Sequence, residues 1–97
     1  MRRRARVDRN HSEIVNALER CGCSVQSLAS LGRGCPDLLV GSRGADGESR
    51  NLLIEVKAPK GTPTPDQIEW ASGWRGQMAI VRSVEEAIAV VRQERSQ

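Results

Sequence analysis

The rhythm of apolar and polar positions changes several times along the chain. Ile14, Ala17, Leu18 and Cys21 recur at helical spacing, and Asn10 with Glu13 has the spacing of a helix cap and its third residue. Gly22 closes that helix. CSVQSL, residues 23–28, alternates as a strand candidate, and LGRGCP, 31–36, reads as a loop. DLLVGS, 37–42, and NLLIEVKA, 51–58, are apolar runs on either side of RGADGES, a turn rich in Gly, Asp and Ser, and together they predict a hairpin. APKGTPTP, 58–65, carries three prolines and a glycine and cannot be regular structure.

After that break Thr64 is placed to cap a helix, with Pro65 at its first position and Gln67 three beyond the cap. QMAIVRS, 77–83, predicts another strand. Ser83 and Glu86 form a second capping box, ahead of a stripe of Val84, Ala87, Ile88 and Val91. The order α-β-β-β-α-β-α most simply folds as an α/β domain, a mixed central sheet flanked by helices.

Ninety-seven residues make one domain. A chain of this length buries only about 60–65% of the surface its unfolded form exposes, so a partner subunit would help a thin core. No apolar run reaches the roughly 18–20 residues of a membrane span, and no signal-peptide apolar region follows the Arg-rich start, so a cytosolic protein is expected. Cys21, Cys23 and Cys35 are an odd set, against a secreted disulfide framework, and with His11 they do not match zinc spacings; reduced thiols are the expectation.

Charge adds an asymmetry. Residues 1–9 hold five Arg and one Asp, a surplus of four, which leaves the rest of a chain of net charge +3 near −1. A basic arm over 1–9 ahead of a near-neutral domain over 10–97 suits a polyanion such as nucleic acid; a solubilising tail would have the same composition.

The strand at 52–58 concentrates the candidate chemistry. Alternation puts Leu52, Ile54, Val56 and Ala58 on one face, and Leu53, Glu55 and Lys57 on the other. Glu55 and Lys57 then have Cα atoms about 6.6 Å apart, close enough to converge on one small object. Alone, such a pair is an ordinary wet strand face. Asp37, however, opens the neighbouring strand, and two carboxylates brought together resist ionisation unless a cation joins them. Magnesium accepts one or two carboxylates and completes its shell with waters and phosphate oxygens. On the next helix Gln67 shares a stripe with Trp70, Ala71 and Trp74, and that stripe is expected to face the sheet with both tryptophans in the core.

In sequence order, GCPDLLVG, LLIEVKAPKG and TPDQIEW resemble the signature of the PD-(D/E)xK nucleases, and among them the virus-type replication-repair nuclease (VRR-NUC) domain. Gly76, QMAIVRS and SVEEA fit the family's later features, so the resemblance covers roughly Glu13 to Val91. It implies a restriction-endonuclease-like fold and a magnesium-dependent DNA endonuclease, with manganese as a substitute. Asp37 and Glu55 would ligate the metal, together with the backbone carbonyl of Val56 and an acid from the first helix, Glu13. Lys57 would position or activate the attacking water, and Gln67 would support the site. Stand-alone relatives act as homodimers on branched DNA such as Holliday junctions.

Arg2, Arg3, Arg4, Arg6, Arg33, Arg43 and Lys60 are the candidates for phosphate contacts. With Tyr and Phe absent, only Trp70 or Trp74 could stack on a base, so recognition of DNA shape is expected rather than of sequence. Competing expectations are a DNA-binding module with this fold and no chemistry, a flap or single-strand nuclease, and a small protein adaptor.

Overall fold

The computed structural model describes the backbone of residues 2–95 and the side chains of residues 10–94. One small α/β domain results, a four-stranded mixed sheet with three helices. Helix α1 (Arg2–Arg20) leads into β1 (Ser24–Ser27), a single 3-10 turn (Ala29–Leu31), β2 (Leu38–Arg43) and β3 (Ser49–Val56). Helix α2 (Pro65–Gly73), β4 (Met78–Val81) and α3 (Val84–Arg95) follow. Among the described residues no helix is long and apolar enough to cross a membrane.

The strands lie in the order β1-β2-β3-β4. β2 and β3 form the antiparallel hairpin, with Leu38 opposite Ile54 and Val40 opposite Leu52. β4 runs parallel to β3, with Val56 opposite Val81, and α2 lies within that crossover. The end of β3, the end of β4 and the start of β2 therefore meet at one rim of the sheet. That rim holds the candidate chemistry.

Strand alternation gives the two faces different partners. Leu52, Ile54 and Val56 join Leu38, Val40 and Val81 beneath α1 and α3, which contribute Ile14, Leu18, Ala87 and Val91. This is the core, and its helical members stand at the i, i+4 spacing that makes one apolar face. Leu53 and Glu55 point to the opposite face, which α2 covers. The cover is thin: no residue of α2 is buried, and Ile68 is 58% exposed.

Two expectations are corrected here. Helix α1 begins at Arg2, not after Asn10, because residues 2–20 contain no Gly or Pro and Arg is a good helix former. Asn10 thus lies inside the helix, where its side chain does other work. The side chains of Arg2, Arg3, Arg4 and Arg6 lie outside the described residues. Trp70 and Trp74 are not in the core: Trp74 is 45% exposed and Trp70 half-buried, and the two indoles stack on each other with centroids 4.8 Å apart. A nine-residue helix on the thinner side of the sheet has no interior to offer two large rings.

Candidate functional site

Glu55 is the centre of the site and the only buried charged residue among those described, at 3% exposed. Its burial follows from position. It is the penultimate residue of an interior strand, on the face roofed by α2. A cavity of about 310 Å³ adjoins it there, lined otherwise by mostly apolar groups including Pro63, Ile68, Ala71, Met78 and Ile80. A carboxylate in such surroundings loses its water.

Asp37 precedes β2 by one residue, and the register that puts Leu38 opposite Ile54 carries Asp37 to the place opposite Glu55. Its backbone and side chain are both anchored. The Asp37 carbonyl accepts from the Leu28 N–H at 2.7 Å, and its Oδ2 accepts from the Val56 N–H at 2.8 Å. The acid on one strand is thereby tied to the backbone of the other, within the Glu-Val-Lys triplet.

Lys57 reaches back to the same acid, its Nζ 3.5 Å from Glu55 Oε2, with both side chains largely buried. Gln67 donates from Nε2 to that oxygen at 2.8 Å. The other carboxylate oxygen, Oε1, is buried and without a hydrogen-bond partner in the described structure. Burial, and next the negative charge of Asp37, push the Glu55 carboxyl up to about 7, while Lys57 draws it back down. Such an oxygen is an unsatisfied lone-pair site that a cation or a proton would fill.

Local sequence explains how α2 delivers Gln67. Thr64 caps the helix: its hydroxyl accepts from the Gln67 N–H at 3.3 Å, and Gln67 Oε1 accepts from the Thr64 N–H at 2.9 Å. Pro65 at the first position fixes the entry. The amide of Gln67 therefore uses its oxygen on the cap and its nitrogen on Glu55.

Gly34 sets the distance between this helix and the Asp37 turn. It has φ +83°, and a Cβ there would stand 2.3 Å from the Asp66 carbonyl oxygen in the first turn of α2. Only glycine allows that approach. Between Gly34 and Asp37, Cys35 is half-buried, and its thiol is pushed up by burial and by the charges of Glu55 and Asp37.

The remaining candidates divide. Lys60 is exposed in the turn just beyond Lys57, a turn closed by the Gly61 N–H to the Ala58 carbonyl and held by Arg82 Nε on the Gly61 carbonyl at 3.1 Å. Arg33 is exposed with φ 56° and lines a cavity with Asp66, Glu69 and Trp70. Arg43 ends β2, at the far end of the strand from Asp37. Glu13 is exposed on α1, and among the described residues no three His, Cys, Asp or Glu side chains gather into a metal-holding group. Among the described residues of α1, Asn10 reaches this rim, and its Nδ2 donates to the Lys57 carbonyl at 2.9 Å.

Sequence reasoning missed Asn10 and Arg82. Asn10 was legible only as a helix cap, and its actual position one turn before Ile14 and two before Leu18, on the core stripe, is the signal that could have found it. Arg82 had none, since a lone Arg at a strand end is ordinary.

The donor set suits a small hard cation. Two carboxylates at adjacent strand ends, one with a buried unpartnered oxygen, match what magnesium takes from a protein while keeping its waters. Compared with known family models, curated proteins and solved structures, the chain matches none.

Proposed function

We propose that this chain is a magnesium-dependent DNA endonuclease of the PD-(D/E)xK type, of the VRR-NUC branch, with a restriction-endonuclease-like fold. The observation that supports it most is the rim of the sheet itself. Asp37 and Glu55 stand side by side on adjacent strands, the Lys57 amine rests on the Glu55 carboxylate, and Glu55 Oε1 is buried with no hydrogen-bond partner among the described residues. A surface ion pair would leave that oxygen to water. An adaptor with a wet strand face has no use for a carboxyl held near 7 by burial and a neighbouring acid.

In this reading Asp37 and Glu55 would hold the metal, with the Val56 carbonyl as a further ligand. Manganese substitutes for magnesium. The bound cation supplies charge neutralisation at the phosphate and an acidified water. Lys57 would hold the attacking water or the developing phosphate charge with its amine, and Gln67 fixes Glu55 in place through its Oε2. Lys60, beyond Lys57, and the basic arm over residues 1–9 meet the phosphate backbone. Branched DNA, Holliday junctions among them, is the proposed substrate class and a homodimer the working form. The apolar groups left exposed on the α2 side, Leu39, Ile68 and Ile80, are consistent with a second subunit.

A cleavage assay tests the proposal. Four-way junction, flap, single strand and plain duplex are incubated with magnesium, with manganese and with chelator. Metal-dependent products, abolished in Lys57→Ala with binding retained, are expected. Full DNA affinity in chelator with no product at any metal concentration would identify a binding module instead.

A further inference from the structure

Glycine stands at residue 41 for no reason that its own backbone supplies. β2 is an interior strand, paired with β1 on one side and β3 on the other, and glycine weakens such a strand. Gly41 is not among the residues of positive φ. A Cβ placed on it would meet Asn51 Oδ1 at 3.5 Å and Ser24 Cβ at 3.8 Å, which are ordinary contact distances. Neither strain nor crowding requires a glycine. What its absent side chain leaves is room for something to approach the sheet.

The room is a cavity of about 460 Å³, open to solvent. Ser24 and Asn51 flank Gly41 on the neighbouring strands, and Arg43 stands opposite Ser49 one row further out. All five line the cavity, and by strand alternation all five lie on the face that carries Glu55. Arg50 lines it too, bridged to Asp46 at 2.9 Å. No acid is among the lining residues. Two hydroxyls, a side-chain amide and a guanidinium around an open stretch of backbone suit a phosphate and offer nothing to an apolar ligand.

We infer that the Gly41 cradle receives a phosphate of the DNA backbone, as a second contact on the same sheet face as Glu55. It rests on the reading of the protein as one that acts on DNA. Asn51, beside Gly41, is four residues before Glu55 on β3, about 13 Å along the strand. That span equals the axial rise of about four duplex steps at 3.4 Å each, so one duplex lying along β3 covers both the rim and the cradle. Ser24, Ser49 and Asn51 donate hydrogen bonds to the phosphate oxygens, and Arg43 supplies the charge. Gly41 keeps the surface low enough for the phosphate to seat.

The test uses the full chain, ¹⁵N-labelled, titrated in chelator with a short DNA duplex carrying a four-way junction. Amide shifts at Ser24, Gly41, Arg43 and Asn51 are expected. Gly41→Val fills the cradle without changing charge and is expected to weaken binding several-fold. Arg43→Gln is expected to lower the salt slope of binding by about one unit. Gly41→Ala, whose Cβ meets only ordinary contacts, checks by circular dichroism that the strand tolerates a side chain there. Silent cradle amides, or wild-type affinity in both Gly41→Val and Arg43→Gln, overturn the inference. Cleavage by the same sample in magnesium is scored separately. Cleavage with a silent cradle sinks the cradle and leaves the nuclease reading standing, whereas a responsive cradle without cleavage does the reverse.

Discussion

Gln67 holds Glu55 with one end of its amide and the start of its own helix with the other: Nε2 donates to Glu55 Oε2 at 2.8 Å, and Oε1 accepts from the Thr64 N–H at 2.9 Å. Glutamate at this position would close the capping box equally well, because only an acceptor is needed. It could not donate to Glu55, and would put a second negative charge against a buried carboxylate. Gln67→Glu is therefore expected to keep the helical content of the protein in circular dichroism while losing most cleavage. Gln67→Met, which loses only the side-chain half of the capping box and adds no charge, should melt slightly below wild type and retain more activity than Gln67→Glu. Wild-type activity in both variants would mean that the link to Glu55 does not matter.

Stability in chelator should fall as pH rises, and Glu55 is the reason. Its carboxyl titrates near 4.5 when free and at about 7 in the fold, raised by burial and by Asp37. Between those values the folded chain keeps a proton that the unfolded chain has lost. The stabilisation is full below pH 4.5, declines across the interval and is gone above about 7, where the charged form must be buried. At about 1.4 kcal/mol per pH unit the loss across that interval is on the order of 3–4 kcal/mol. Glu55→Gln should remove that decline and melt higher than wild type at pH 8 without metal. Magnesium should raise the wild-type melting temperature at pH 8 and leave the variant's unchanged, as binding to the folded form alone requires. Parallel pH profiles for the two proteins would show that Glu55 is not the titrating group.

Much of this site was written in local patterns. The hairpin could be read because Gly, Asp and Ser interrupt two apolar runs, and alternation along LLIEV then fixes which side chains share a face. Thr64, Pro65 and Gln67 announced the start of α2 through capping chemistry that depends on three neighbouring residues. What escaped depends on contacts distant in sequence. Asn10 meets the Lys57 carbonyl across 47 positions, and nothing near Asn10 distinguishes that from a cap. Helical spacing also placed Trp70 and Trp74 on the inward stripe, but spacing cannot say how deep the inward side is. Here it is shallow, and the rings stack on each other instead.

Gly34 should tolerate no side chain. With φ +83° an L residue is strained, and a Cβ 2.3 Å from the Asp66 carbonyl oxygen overlaps it outright. The neighbour is backbone in a capped first turn, so relief requires moving α2 or the turn that carries Asp37. Gly34→Ala is expected to cost about 2 kcal/mol or more, as strain and overpacking typically do. Activity should fall further than stability, because Asp37 and Gln67 shift relative to Glu55 together. Denaturant melts and cleavage at a temperature where the variant remains folded would separate the two effects. A variant as stable and active as wild type would mean that the contact between turn and helix is loose.

Asn10 should prove to be a residue through which α1 steadies the rim that carries Glu55 and Lys57. Its Nδ2 donates to the Lys57 carbonyl at 2.9 Å, at the point where the chain leaves β3 and the sheet can no longer guide it. The Lys57 N–H is held by the Val81 carbonyl at 2.9 Å, so β4 and α1 grip the same residue from its two sides. Asn10→Ala removes one of these and is expected to cost about 1 kcal/mol, the usual value of a partly buried hydrogen bond. The effect on cleavage should be larger than that figure suggests and should appear in kcat rather than in DNA affinity, because the amine of Lys57 is then held less firmly against Glu55. Asn10→Asp places an acceptor where a donor is needed, and should do worse than Ala in both measurements. If Asn10→Asp instead cleaves as well as wild type, the bond to the Lys57 carbonyl has no part in holding the lysine.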